Sequence, residues 1–425
     1  MAKMLVQRCA LVATLLVTAT LAADAATVRV TNCPAHFTGR FEGEQETNGP
    51  YRLVSAHCTK IKESEQLTAP ALAPDGRAIA RLRSEGDLLD IIDLESGRAV
   101  SVPNPVTLPG FSMLDRQSPP IAWLIKPRAV LTVTQHVMVP SHFALSGLTV
   151  HRVNPNGASS ALPPLTSAAG PLDAIEWVGN AGLAVAQFGT SGSYYRPEHA
   201  DRAPEVAMVD TLRGKMLDRL PLSHLAFYRN RRSDAIRSLL QTPSATILPD
   251  GRMRVLIPTY ANWIIWTQGE AAKEVAKSVA DIGRARAALS RAGNSLLVGH
   301  DLQPSGVHVI CEGPCPPSAP PKPRTGPLLS LHDLKKGAAL WTLTATVDRF
   351  WNGHIFKISD DGLYALISYP PQGIHQELAL VRMNDGSVVQ KIPFGVSGGD
   401  AGFADGGRIM WTRLTNVVSI YRRNQ

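Results

Sequence analysis

The chain has 425 residues, 44% of them hydrophobic and 18% charged, with a formal net charge of +8. The charges are scattered instead of gathered into a basic tract, which leaves no specific nucleic-acid signal; the mild basic excess suits acidic partners only as a surface property. After the first stretch, no segment approaches the roughly 20 apolar residues that span a bilayer, so no membrane-spanning domain is expected.

Residues 1–25 read as a secretory signal peptide. Lys3 and Arg8 give a positive start, 10–21 (ALVATLLVTATL) is a short apolar run, and Ala23-Asp24-Ala25 is a small-residue cleavage site. The run is too short for a transmembrane anchor. Cys9 precedes the apolar run, which argues against a lipoprotein. Removing Lys3, Arg8 and Asp24 leaves a charge of +7 on residues 26–425. That part is expected to be one domain, exported to the periplasm or the extracellular space.

Four cysteines then remain: Cys33, Cys58, Cys311 and Cys315. An even count in an exported chain suggests disulfides, and four cysteines allow three pairings. The economical pairing is Cys33–Cys58 with Cys311–Cys315. Zinc is the alternative, but no histidine lies close to Cys311-x-x-x-Cys315 to complete a ligand set. No metal site is expected.

The strongest signal is an internal repeat. A few apolar residues, a tight turn and a second apolar run recur at 71–80 (ALAPDGRAIA), 123–134 (WLIKPRAVLTVT), 177–187 (WVGNAGLAVAQ) and 246–257 (TILPDGRMRVLI). They recur again at 288–299 (ALSRAGNSLLVG), 357–368 (KISDDGLYALIS) and 402–412 (GFADGGRIMWT). This is a hairpin signature, in which a Gly-containing turn supplies the positive φ that tight β connections need. A second hairpin follows most copies, at 88–99, 148–159, 206–216, 328–338 and 378–388. Two hairpins make a four-stranded antiparallel unit, and seven such units predict an all-β, seven-bladed β-propeller.

A propeller ring must close, or two sheet edges stay open. After the last copy only one strand remains, 417–421 (VVSIY). The alternating segment 27–31 (TVRVT) is therefore expected to close the ring as the missing strand. Two stretches fit the repeat poorly. Residues 269–289 are Ala-rich and give blade 4 either a weak outer strand or a short helix. Residues 222–238 read as an insertion between blades, with a helix as one form open to it.

The turns Pro74-Asp75-Gly76 and Pro249-Asp250-Gly251, with Asp93-Leu94-Glu95-Ser96-Gly97, resemble those of the secreted WD40-like propellers, including the periplasmic TolB type. The resemblance covers most of residues 26–425 and implies the architecture, not the activity. The Trp-Asp dipeptide of true WD40 blades is missing.

The hairpin turns are short, and the long irregular segments sit between hairpins: 102–120, 140–146, 189–203, 222–243, 303–327, 346–356 and 369–377. In a propeller these connections share one face. Binding residues concentrate on long loops carried by a rigid scaffold. Tyr194, Tyr195, Arg196, His199, Trp351, His354 and His375 are the candidate ligand-binding residues, as aromatics and polar groups suited to a protein, peptide or glycan. Each has a plain alternative as a packing residue beneath its loop. The Pro-rich stretch 314–327 is expected to be a stiff strap stapled by Cys311–Cys315.

The binding or scaffold reading has a rival, a propeller enzyme such as a lactonase-like hydrolase or a lyase. Asp173, Glu176, Asp348 and His354 are the first positions to inspect for it. No haem, zincin, EF-hand, P-loop or dinucleotide signature is present, so no cofactor is expected. Gly395-Val396-Ser397-Gly398-Gly399 matches G-x-S-x-G by letters only, because a β hairpin follows where a helix is required. A monomer is expected.

Overall fold

The computed structural model describes residues 29–33, 49–59, 70–82, 88–103, 121–135, 148–165, 167, 172–188, 205–225, 243–258, 262–276, 286–300, 302, 322–348, 355–372, 375–395, 399–414 and 417–424. Within them the chain is strand and turn, apart from two single 3-10 turns.

Each sheet is built from hairpins pinned by their turns. Gly76 takes a φ of 72°, and Asp75 Oδ1 accepts the Arg77 N–H at 3.0 Å. Gly251 repeats this with a φ of 83°, and Asp250 Oδ1 accepts the Arg252 N–H at 3.0 Å. Left-handed backbone costs an L-residue about 1–2 kcal/mol, which is why glycine stands there. The aspartate caps the turn it precedes. The hairpin at 123–134 does without glycine and turns through a cis Lys126–Pro127 bond.

Two strands precede the repeat, β1 (Arg29–Thr31) and β2 (Tyr51–Cys58). Blade 1 is β3 (Ala71–Leu72), β4 (Ala78–Leu82), β5 (Leu88–Asp93) and β6 (Ala99–Pro103). Blade 2 is β7 (Ala122–Leu124), β8 (Ala129–Gln135), β9 (Leu148–Val153) and β10 (Ser159–Ala161). Blade 3 is β11 (Leu172–Val178), β12 (Leu183–Phe188), β13 (Glu205–Asp210) and β14 (Lys215–Pro221). Blade 4 is β15 (Ser244–Ile247), β16 (Met253–Pro258), β17 (Asn262–Thr267) and β18 (Lys273–Ala276). Blade 5 is β19 (Arg286–Leu289), β20 (Ser295–Gly299), β21 (Arg324–Asp333) and β22 (Ala339–Val347). Blade 6 is β23 (Phe356–Ile358), β24 (Tyr364–Gln372), β25 (His375–Arg382) and β26 (Val388–Gly395). Blade 7 takes β27 (Asp400–Ala404), β28 (Ile409–Leu414) and β29 (Val417–Arg423) from the chain's end.

All seven first hairpins and all five second hairpins expected from the sequence are present. The Ala-rich stretch supplies a short outer strand, β18, and no helix among its described residues. The insertion at 222–238 starts as one 3-10 turn, Leu222–His224, and lies outside the described residues from 226 onward.

Within each blade the strands pair antiparallel in sequence order. First strands of neighbouring blades touch (β3 with β7, β11 with β15, β15 with β19, β23 with β27), so they form the inner ring. Seven apolar clusters fill the seven gaps between blades. One joins Ala80, Leu89 and Ile91 of blade 1 to Trp123 and Val130 of blade 2. The cluster that completes the circle joins Ile409, Trp411 and Ile420 of blade 7 to Leu72, Ile79 and Ile92 of blade 1. Each large side chain buried this way contributes about 2 kcal/mol, so the ring is held by its seams.

The assignment of 27–31 to the fourth place of blade 7 is corrected. β29 pairs with β2, antiparallel, from Tyr51↔Arg423 to Cys58↔Val417. β1 lies one place further out and runs parallel to β2, from Arg29↔Ser55 to Thr31↔His57. Burial decides between them. Tyr51, Leu53, Ala56 and Cys58 bury in the seam between blades 6 and 7, whereas no residue of β1 is fully buried. The Cys33–Cys58 disulfide ties the end of β1 to β2. Cys311 and Cys315 lie outside the described residues.

β2 is also held from blade 6. The Gln390 side chain accepts the Tyr51 N–H at 3.1 Å and donates to the Tyr51 carbonyl at 2.8 Å, as a neighbouring backbone would. The Tyr51 hydroxyl donates to the Gly407 carbonyl.

This topology separates the connections by face. Turns within hairpins lie on one face, and every one of them between β3 and β28 spans four or five residues. Connections between hairpins and between blades leave on the other face. They include 104–121, 136–147, 189–204, 222–243 and 300–323.

Candidate functional site

The turn face carries several ion pairs. Arg128 of blade 2 pairs with Asp75 of blade 1 at 3.2 Å. Arg252 bridges Asp250 at 2.8 Å and Glu270 at 2.7 Å. Arg382 pairs with Asp385, and Arg423 of blade 7 with Asp361 of blade 6. The exposed pairs among these are individually weak, and Arg423–Asp361 is partly buried.

Six of the seven candidate residues fall on connections between hairpins or blades. Tyr194, Tyr195, Arg196 and His199 belong to the connection between β12 and β13, and Trp351 and His354 to that between β22 and β23. All six lie outside the described residues. His375 opens β25 and pairs with Gln372. That register corrects the expected loop at 369–377. Tyr369 pairs with Glu377, and only 373–374 connect the strands. A β-bulge between Tyr369 and Gln372 absorbs Pro370-Pro371, which explains why a strand tolerates them. At the base of this hairpin the Lys391 ammonium sits 4.4 Å from the Tyr369 ring centroid and 3.1 Å from Glu377.

Of the positions singled out for catalysis, Asp173 and Glu176 lie on the innermost strand of blade 3, and Asp348 follows β22. Glu176 is partly buried on that strand. Burial pushes its carboxyl above the usual range, and Lys357 pulls it partly back. Lys357 is on the innermost strand of blade 6, three blades round the circle, so this pair acts across the ring's interior.

Two polar groups missed in the sequence lie in the seams. Between blades 7 and 1, Arg81 Nε and Nη2 donate to Asp90 Oδ2 at 3.0 and 2.8 Å, and Ser101 Oγ donates to Asp90 Oδ1 at 2.7 Å. Arg413 of blade 7 joins them; burial lowers its guanidinium, Asp400 counteracts this, and Arg81 adds to it. In blade 5, Ser330 Oγ lies 2.8 Å from His300 Nε2 and 2.7 Å from His332 Nε2. Burial keeps both imidazoles below their usual value and therefore neutral. Nothing in the local sequence marks either group, because each joins residues on separate strands.

Among the described residues no three His, Cys, Asp or Glu side chains converge to hold a metal ion. The G-x-S-x-G letters fall between β26 and β27, with no helix after them, as expected. No helix among the described residues is long and apolar enough to cross a membrane.

No family model matches the chain, and no curated protein matches it in sequence. Solved structures do match in shape. The structure of U3-55K aligns with a TM-score of 0.52 at 11% identity, over 86% of this chain and 98% of the other. Virginiamycin B lyase from Staphylococcus aureus aligns at 0.48 and 10%, over 88% and 100%. Hydrazine synthase from Kuenenia stuttgartiensis aligns at 0.46 and 13%, over 86% and 97%. At such identities likeness concerns the fold alone: the chain is a seven-bladed β-propeller.

Proposed function

We propose that the chain, exported and stripped of residues 1–25, is a monomeric binding or scaffold module. It holds a protein, peptide or glycan on the face of its long connections. The observation that supports this is the one-sided distribution of connection length. Thirteen turns of four or five residues occupy one face, while connections such as 189–204 and 300–323 leave from the other. A rigid ring presenting long loops on one side is the usual geometry of a binding surface. The rival hydrolase or lyase reading draws on Glu176, whose raised carboxyl suits an acid.

Arrays of immobilised glycans and peptides test the binding reading. Tyr194→Ala, Tyr195→Ala and Trp351→Ala should each weaken capture about 30-fold, the ~2 kcal/mol of an aromatic anchor. Arg252→Ala and Leu363→Ala, on the turn face, should leave capture unchanged. The opposite pattern overturns the proposal.

A further inference from the structure

A serine, a histidine and a threonine line up on the outer rim, where β2 meets blade 1. The arrangement begins with a β-bulge in β2 between Leu53 and Ser55. Before the bulge Tyr51 and Leu53 bury against blade 6; after it Ala56 and Cys58 do. The alternation has therefore slipped by one. Ser55 and His57 turn to the other side, where Val54 packs into the seam with blade 1. Bulges re-aim side chains in this manner.

On that side His57 is buried, at 7% exposure. Its Nε2 lies 2.9 Å from Ser55 Oγ, and its Nδ1 lies 2.6 Å from Thr31 Oγ1. Thr31 Oγ1 donates to the Leu94 carbonyl at 3.2 Å. A hydroxyl has one proton, so a Thr31 that donates to Leu94 accepts the bond from Nδ1–H. The tautomer follows: Nε2 carries the lone pair and receives the Ser55 O–H. Burial foremost, and then the charge of Arg29, keep the imidazole below its usual value against the pull of Leu94, Glu95 and Asp93. Ser55 itself is only half-buried. β1 brings a cation as well, because Arg29 is the register partner of Ser55, and its guanidinium is tied to Glu95 at 2.6 Å.

We propose that Ser55 is a nucleophile, with His57 as its general base and Thr31 as the positioning residue, able to take an acyl group from an activated ester. This is the geometry of an activated serine: nucleophile on base, base on an orienting group. Ser55 Oγ bonds to the ester's carbonyl carbon while its proton passes to His57 Nε2. The resulting oxyanion forms beside the strand position of Arg29, whose guanidinium must leave Glu95 to meet it. The carbon–oxygen bond to the leaving group breaks, and that group departs as an alcohol with the proton from Nε2. Water then attacks the acyl-serine, gives a proton to Nε2, and releases a carboxylic acid as Ser55 recovers its proton. The site sits beside the 94–98 turn of blade 1, and its test reads the chemistry of Ser55 itself, so its fate is independent of the binding reading.

The test is p-nitrophenyl acetate on the disulfide-intact protein, followed by peptide mapping. Acetylation of Ser55 is expected in the native protein and not in urea-unfolded protein. His57→Gln should slow it about 100-fold or more. Thr31→Val should slow it about 10-fold, and Thr31→Ser should restore it, as expected of an orienting hydrogen bond. An unmodified Ser55 in native protein that also releases p-nitrophenolate no faster than urea-unfolded protein, or equal modification in native and unfolded protein, overturns the proposal. That comparison needs no variant, so it decides the matter even where a substitution impairs folding.

Discussion

Tyr51→Ala is expected to lower the unfolding free energy by about 4 kcal/mol, as typical of a buried aromatic truncated in a core. Tyr51 is fully buried. Its ring stands edge-on to Tyr364 of blade 6 at 5.8 Å and against Phe403 of blade 7 at 6.1 Å. Its hydroxyl donates to Gly407, and its backbone is bracketed by Gln390. Burial pushes the phenol well above its ordinary value, so it stays protonated and a donor at any working pH. Tyr51→Phe should cost about 2 kcal/mol, the penalty for leaving a buried carbonyl without its donor. Urea unfolding followed by tryptophan fluorescence reads both. A Tyr51→Ala protein as stable as the wild type would mean that β2 does not hold blade 7.

Asp90→Ala should be comparably severe, at about 3–5 kcal/mol, because it strands the Arg81 guanidinium without its carboxylate. The two side chains are 6% and 1% exposed, so water cannot replace the lost partner. Arg413 adds positive charge to the same seam. Replacing both partners, Arg81→Met with Asp90→Leu, should recover most of the loss, since a well-packed apolar pair of similar size is often as stable as a buried ion pair. Thermal melts of the single and double variants give the comparison. A double variant no better than Asp90→Ala would show that the seam requires the charges themselves.

Both substitutions act where blade 7 meets its neighbours, and there sequence reading was weakest. The hairpins were legible because turn chemistry is local: Gly76, Gly251 and their aspartates announce themselves in adjacent letters. β2 was not legible. YRLVSAHC carries a bulge, so its buried residues 51, 53, 56 and 58 break the period of two that marks a strand. The neater TVRVT drew the assignment, although burial places it outside the blade. Pro370-Pro371 misled in the opposite way, hiding a strand inside an expected loop. The seam groups around Asp90, Ser330 and His57 unite residues from different strands, and no spacing in the sequence signals them. The asymmetry of connection length was readable in advance, since it needs only the order of the hairpins.

Whether a partner is held on the long-connection face is read most directly by photo-crosslinking in cells that produce the protein. A benzophenone amino acid is placed at Tyr195 or Trp351 on that face, and at Leu363 or Arg252 on the turn face. Discrete crosslinked species are expected from Tyr195 and Trp351 and none from Leu363 and Arg252. Crosslinks arising from the turn face alone would contradict it.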